Sequence, residues 1–157
     1  MKEIKLTQGK VTLVDDEDYE YLNQWKWCIV KGNNNYNYAY NYKLGLMHRF
    51  ILRTPQKLMT DHKDHDGLNN QRNNLRICTN GQNQMNKKSC GKSKYLGVWY
   101  ITHKRKDKKY TYIISMIVIE GKQIYLGQFK TEEDAALAYN EAAIKYHGEF
   151  ANLNVIE

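Results

Sequence analysis

Asp61 and His62 stand side by side just after the apolar pair Leu58-Met59, and the stretch G-L-N-N-Q-R-N-N gives the chain room to fold back towards them. Thr79-Asn80-Gly81-Gln82 reads as a capping box, so a helix beginning after Thr79 carries Asn83 in its first full turn, facing the loop before it. A carboxylate oxygen from Asp61 and an amide oxygen from Asn83 suit Mg2+, an ion that prefers hard oxygen ligands and keeps several waters. Two protein ligands suffice where a DNA phosphate supplies another. His62, beside that ion, would take a proton from water, because imidazole titrates close to working pH. The ion would polarise the phosphate and neutralise the leaving oxygen, which an imidazole cannot do.

In its residue types and their order, the segment resembles the HNH endonuclease motif, particularly its phage and intron homing-endonuclease branch. That resemblance implies a ββα-metal fold with Asp-His ending the first strand, an Asn in the loop and a final His or Asn on the helix. Here those roles fall on Asp61-His62, on Asn74 within N-L-R and on Asn83 within Q-N-Q-M-N. It implies that Asp61 and Asn83 hold the metal, that His62 is the general base, and that Asn74 braces the loop and orients the histidine. The upstream M-H-R-F-I-L, with His48, resembles the strand that often precedes the motif. A second pair, Asp64-His65, competes for the assignment. Asn74 and Asn83 follow His62 by 12 and 21 residues, which fits the homing branch, whereas counting from His65 falls three short. His65 is then a loop residue that could lie near phosphate. The cofactor implied is Mg2+, with Mn2+ as a substitute. No structural zinc is expected, since Cys28, Cys78 and Cys90 are far apart and never form a C-x-x-C pair.

The elements that must position these residues are β-rich as far as residue 57. I4-K5-L6-T7 and V11-T12-L13-V14 flank Gln8-Gly9-Lys10 as a hairpin. Asp15 or Asp16 can cap a short helix carrying Tyr19, Leu22 and Trp25. Residues 25–30 and 36–42 read as strands around a K-G-N-N-N turn, and Tyr36, Tyr38, Tyr40 and Tyr42 alternate onto one face, a packed sheet surface more than a base-stacking platform. Residues 46–52 read as a further apolar strand closed by Pro55.

A polar, basic stretch, N-K-K-S-C-G-K-S-K, reads as a linker, and the pattern changes beyond it. Residues 95–101, 110–120 and 122–129 read as three antiparallel strands. Thr131-Glu132-Glu133-Asp134 resembles a capping box, opening a helix with Ala135, Ala138, Tyr139, Ala142 and Tyr146 on one stripe and Gly148 at its end. This region, with Y-L-G-Q-F, the Ala-rich helix and the final A-N-L-N, resembles the DNA-binding domain of plant ethylene-response factors, the Apetala-two type. The resemblance implies a sheet that enters the major groove, braced from behind by the helix. The arginines usual in the family's first strand are replaced by Leu96 and Trp99, which removes the basis for carrying over the plant sequence preference. Lys104, Arg105, Lys106, Lys108 and Lys109 are expected in one loop between strands, contacting phosphate, with Trp99 and Tyr112 meeting sugars or bases.

The expected architecture is therefore α+β: a β-rich region over residues 1–45, the nuclease unit over 46–88, a linker over 89–94 and the DNA-binding domain over 95–154. A formal charge of +7 favours a polyanionic partner. Charge alone does not separate nucleic acid from an acidic membrane; the two resemblances imply double-stranded DNA as the expected partner, with no membrane and no obligate protein partner. The start M-K-E-I-K-L-T-Q lacks the apolar core of a signal peptide, so the expected location is the cytoplasm, of a bacterium or a phage-infected host cell as the resemblance implies. The function expected is Mg2+-dependent hydrolysis of DNA phosphodiester bonds, targeted by the C-terminal domain. The alternative is a non-catalytic DNA-binding regulator, and a small-molecule phosphoesterase would need a deep apolar pocket that the sequence does not announce.

Overall fold

A computed structural model describes the chain except for residues 33–35, 88–90 and 157. Most of the K-G-N-N-N turn, the start of the linker and Cys90 lie outside the described residues. The chain forms two compact units, Met1–Asn80 and Gly81–Glu157, mixed in α and β and built on several small sheets.

In the first unit, β1 (Lys2–Lys5) and β2 (Val11–Val14) form the antiparallel hairpin, with Ile4 and Val14 turned into the core. α1 (Asp16–Leu22) follows. Asp15 sits at its N-cap without a side-chain cap bond, because its carboxylate accepts instead from the Arg72 N–H at 2.7 Å and from Gln71 Nε2 at 3.3 Å. Trp25 falls beyond the helix, while Trp27 is fully buried and donates from Nε1 to the Leu22 carbonyl at 2.8 Å. β3 (Cys28–Lys31), β4 (Asn37–Asn41) and β5 (Gly45–Leu46) make a three-stranded sheet in that order.

Residues 46–52 depart from the expected strand: the chain turns from β5 into α2 (Met47–Ile51). The run is too short for alternation to be told from a helical stripe, and Met47, His48 and Ile51 are buried at i, i+1 and i+4, which is helical spacing. β6 (Met59–His62) and β7 (Leu75–Cys78) then pair antiparallel, and α3 (Asn80–Met85) comes next in the chain. One core takes Ile4, Leu6 and Val14 from the first hairpin together with Met47, Ile51 and Leu75. The N-terminal β-rich region and the Asp-His segment are thus a single hydrophobic body.

The second unit orders its strands β10–β9–β8, all antiparallel. β8 (Val98–Arg105) and β9 (Lys108–Ile119) run further than expected, so only Lys106 and Asp107 remain between them. The basic cluster is therefore not one loop. Lys104 pairs with Lys109 and Arg105 with Lys108 in the ladder, because the β-branched and aromatic residues beyond Val98 carry the pairing through to the charges. β10 (Lys122–Phe129) pairs with β9 only from Ile113 to Ile119. α4 (Glu132–His147) is capped by Thr131, whose Oγ accepts from the Asp134 N–H at 3.1 Å.

α4 buries Ala135, Ala136, Tyr139, Ala142, Ala143 and His147. Tyr146, expected on that stripe, is 48% exposed. The stripe passes to His147, whose Nε2 meets the Val118 carbonyl at 2.9 Å. Small residues bring helix and sheet so close that a Cβ on Gly97, at φ +73°, would lie 2.0 Å from the Tyr139 ring. In the closing A-N-L-N, the Asn154 side chain accepts from the Leu96 N–H at 2.6 Å and donates to the Leu96 carbonyl at 3.1 Å, while the Asn140 amide holds the Asn154 backbone. Among the described residues no helix is long and apolar enough to cross a membrane.

Candidate active site

Strand register decides what Asp61 meets. It lies opposite Arg76 across the β6–β7 ladder, and cross-strand partners share a face. Arg76 directs Nε and Nη2 to Asp61 Oδ2 at 2.8 and 2.7 Å, with the two side chains only 14% and 8% exposed. This fixes the carboxylate at the end of β6.

The loop between the strands folds around the second Asp-His pair. Asp64 Oδ1 accepts from the Asp66 N–H at 2.8 Å and from Asn74 Nδ2 at 2.9 Å, and its Oδ2 accepts from Asn69 Nδ2 at 2.7 Å. Burial pushes the Asp64 carboxyl up, but these bonds and the His62 ring together hold it below the usual range. Asn74 Oδ1 in turn accepts from the Asp64 N–H at 3.1 Å, and its Nδ2 reaches the Asn69 carbonyl at 2.9 Å. Asn74 therefore meets Asp64 and Asn69, and Asp64 is the hub of the loop. His65 takes a left-handed turn conformation at φ +64°.

The amide facing His62 belongs to Asn70, with Oδ1 3.4 Å from Nε2. Its orientation follows from a chain of bonds that begins on β2. Thr12 Oγ donates its proton to the Leu68 carbonyl at 2.7 Å and accepts from Asn70 Nδ2 at 2.7 Å. Both Thr12 and Asn70 are fully buried. With the hydroxyl proton committed, a flipped amide would turn its oxygen towards an oxygen, so Oδ1 points at His62. Nε2 then carries the proton and Nδ1 keeps the lone pair. The backbone supports the same loop, with Leu13 N–H to Leu68 O and Asn70 N–H to Leu13 O both at 2.8 Å.

Burial pushes the His62 pKa below its ordinary value, although the Asn70 bond and the carboxylates of Asp64, Asp61 and Asp66 pull the other way. The ring is neutral near pH 7 and able to accept a proton. His48, on α2, is buried against it, and burial with the neighbouring imidazole lowers its pKa to about 3. Cys78 is pushed up to about 11, first by burial and then by the Asp61 charge, so it is no thiolate nucleophile.

Asp61, His62 and Asn74 thus lie within one unit, along β6 and the loop it enters. Asn83 lies on α3, past the boundary between the units, and is half-buried. Among the described residues no three His, Cys, Asp or Glu side chains cluster as metal ligands. A donor set of one carboxylate and one amide fits a hard divalent ion that keeps most of its waters, and does not fit zinc. Sequence reasoning missed Thr12, Asn70 and Arg76. Arg76 was readable from cross-strand charge pairing once Asp61 and the hairpin were given. Nothing in the N-N-Q-R-N-N run singles out Asn70.

In the second unit, register puts Trp99, Ile101, His103 and Arg105 of β8 on one face with Lys108, Tyr110 and Tyr112 of β9. The His103 and Tyr112 rings lie 5.8 Å apart on it. Val98, Ile113 and Phe129 face α4 on the other side. Lys104 and Lys109 take that opposite face, and Lys106 sits in the turn. Trp99 is 42% exposed.

The chain belongs to the HNH endonuclease family. The relative that shows it is an uncharacterized HNH endonuclease of Acanthamoeba polyphaga mimivirus, 34% identical across 96% of this chain and 78% of its own. No protein-family model matches the chain, and no solved structure does.

Proposed function

We propose that the protein is a Mg2+-dependent DNA endonuclease of the homing type, with a ββα-metal nuclease segment and an ethylene-response-factor-like DNA-binding domain at residues 95–154. The observation that carries the catalytic reading is the Thr12–Asn70–His62 chain, which leaves a neutral imidazole with its proton on Nε2 and its lone pair on Nδ1. His62 takes a proton from water, the resulting hydroxide attacks phosphorus in line, and the bond to the 3′-oxygen breaks, leaving a 5′-phosphate and a 3′-hydroxyl. Asn74 holds the loop. Asp61 and Asn83 would hold the ion, Mg2+ with Mn2+ as substitute, which supplies charge stabilisation at the phosphate.

Targeting falls to the open face of the β8–β9 ribbon. A two-stranded ribbon fits the major groove, Arg105 and Lys108 suit phosphates, and Trp99 and Tyr112 suit sugars or bases. Lys104, Lys106 and Lys109 add charge along the same ribbon.

One observation favours a second reading, a non-catalytic DNA-binding regulator: Arg76 engages the Asp61 carboxylate, which gives that residue a structural use. A plasmid-nicking assay decides between them. The nuclease reading expects Mg2+-dependent nicking that falls by roughly 10²- to 10⁴-fold in His62→Ala. Equal nicking by both proteins removes His62 from the mechanism. Metal-independent binding with no cleavage at any Mg2+ or Mn2+ concentration leaves the regulator.

A further inference from the structure

We infer that Tyr38, which lies outside the Asp-His segment, is a positioning residue that locks the His62 imidazole for proton transfer. The inference rests on the nuclease reading above.

A hydrogen bond at Nε2 anchors one atom of the ring. The final torsion of histidine is broad, and packing against the ring narrows it further than a hydrogen bond at one nitrogen does. Two rings supply that packing. The Tyr38 centroid lies 5.8 Å from that of His62, and the His48 centroid lies 4.9 Å away, edge-on at 77°. Tyr38 and His48 also meet each other at 5.2 Å, so the three rings pack as one group, at separations where aromatic pairs attract.

Tyr38 is itself held from both sides. A Cβ on Gly32 would lie 2.4 Å from its Cε2, and a Cβ on Gly67 would lie 2.7 Å from Cδ1 and Cε1 on the opposite edge. On Gly67 the added carbon would also come within 2.3 Å of the Asn37 carbonyl. Two glycines pressed against opposite edges of one ring leave it no lateral freedom. Gly32 follows β3 and Gly67 belongs to the loop after the Asp-His pair, so the ring is wedged between the β3–β4 hairpin and the nuclease loop. The hydroxyl is not needed for this role.

The test uses the full chain, reading the His62 tautomer by long-range ¹⁵N–¹H correlation and nicking of plasmid with Mg2+. Wild type and Tyr38→Phe are expected to show one His62 tautomer, protonated at Nε2, with equal kcat. Gly32→Ala, which displaces the ring without deleting it, and Tyr38→Leu, which deletes it, are expected to give mixed tautomers. Their kcat should fall about tenfold or more, with KM for DNA unchanged. A single tautomer and full kcat in both overturn the inference, as does an equal loss in Tyr38→Phe, which would assign the role to the hydroxyl. Should wild type fail to nick, the nuclease reading falls, while the tautomer measurement still decides whether Tyr38 locks the ring.

Discussion

The Asp-His site and the β8–β9 ribbon achieve their order by opposite means. Around His62 the side chains of Thr12, Asp61, Asn70 and Asn74 are buried and each is hydrogen-bonded to a named neighbour, so their positions are set by bonds that tolerate little change. On the ribbon, residues 101–111 are all exposed, and the groups are arranged by strand register alone. Substitutions in the first region should cost stability and rate, whereas those in the second should cost only affinity.

The hardest blow to that contrast should come at Arg76. In Arg76→Met the Asp61 carboxylate stays buried without its guanidinium, and the first unit should lose about 3–5 kcal/mol in denaturant unfolding. An unchanged midpoint would mean that the site is not organised around this charge pair. Next is Thr12→Val, nearly isosteric and far along the sequence from the histidine. It removes the hydroxyl that orients Asn70, and should cost about 1–3 kcal/mol of stability together with roughly 10- to 100-fold in nicking rate.

Acid should separate the regions more gently. His48 has a folded pKa of about 3, below its unfolded value near 6.5. The unfolded chain therefore binds the proton first, and stability is complete above about pH 6.5 and lost as pH falls towards 3, by at most about 1.4 kcal/mol per pH unit. His62, also lowered by burial, acts in the same direction. His48→Phe should flatten the curve, measured by thermal unfolding between pH 4 and 7. The smallest effect belongs to the ribbon: Arg105→Ala should leave unfolding unchanged and reduce the salt slope of DNA binding by about 1. A shift in the unfolding midpoint would show that the ribbon's charges stabilise the fold.

What the sequence disclosed follows the same division. Hairpins, strand order in the second unit and the Thr131 cap were legible because they depend on local alternation, glycine turns and capping chemistry. The ordered spacing of a motif singles out Asp61, His62 and Asn74, and the fold puts Asn74 against Asp64 and Asn69 while Asn70 faces His62. The helix at residues 47–51 was not legible, since five residues carry too little period to outweigh their apolar character. Nor were Thr12 and Asn70: their meaning arises from a contact spanning 58 positions, and the threonine reads simply as a strand residue. The strand ends within the basic cluster were not legible either, since Lys is depleted in strands, although the ladder continues through Lys104 and Arg105.

The ribbon has one more consequence. Its outer part lacks the third strand, since β10 stops pairing at Ile113, and a two-stranded hairpin is only marginally stable in water. Under the proposed DNA-binding role, ordering of this outer ribbon and recognition would be coupled, so affinity would fall below what the contact area suggests. On that proposal, discrimination would rest partly on how well each DNA sequence orders the outer ends of β8 and β9.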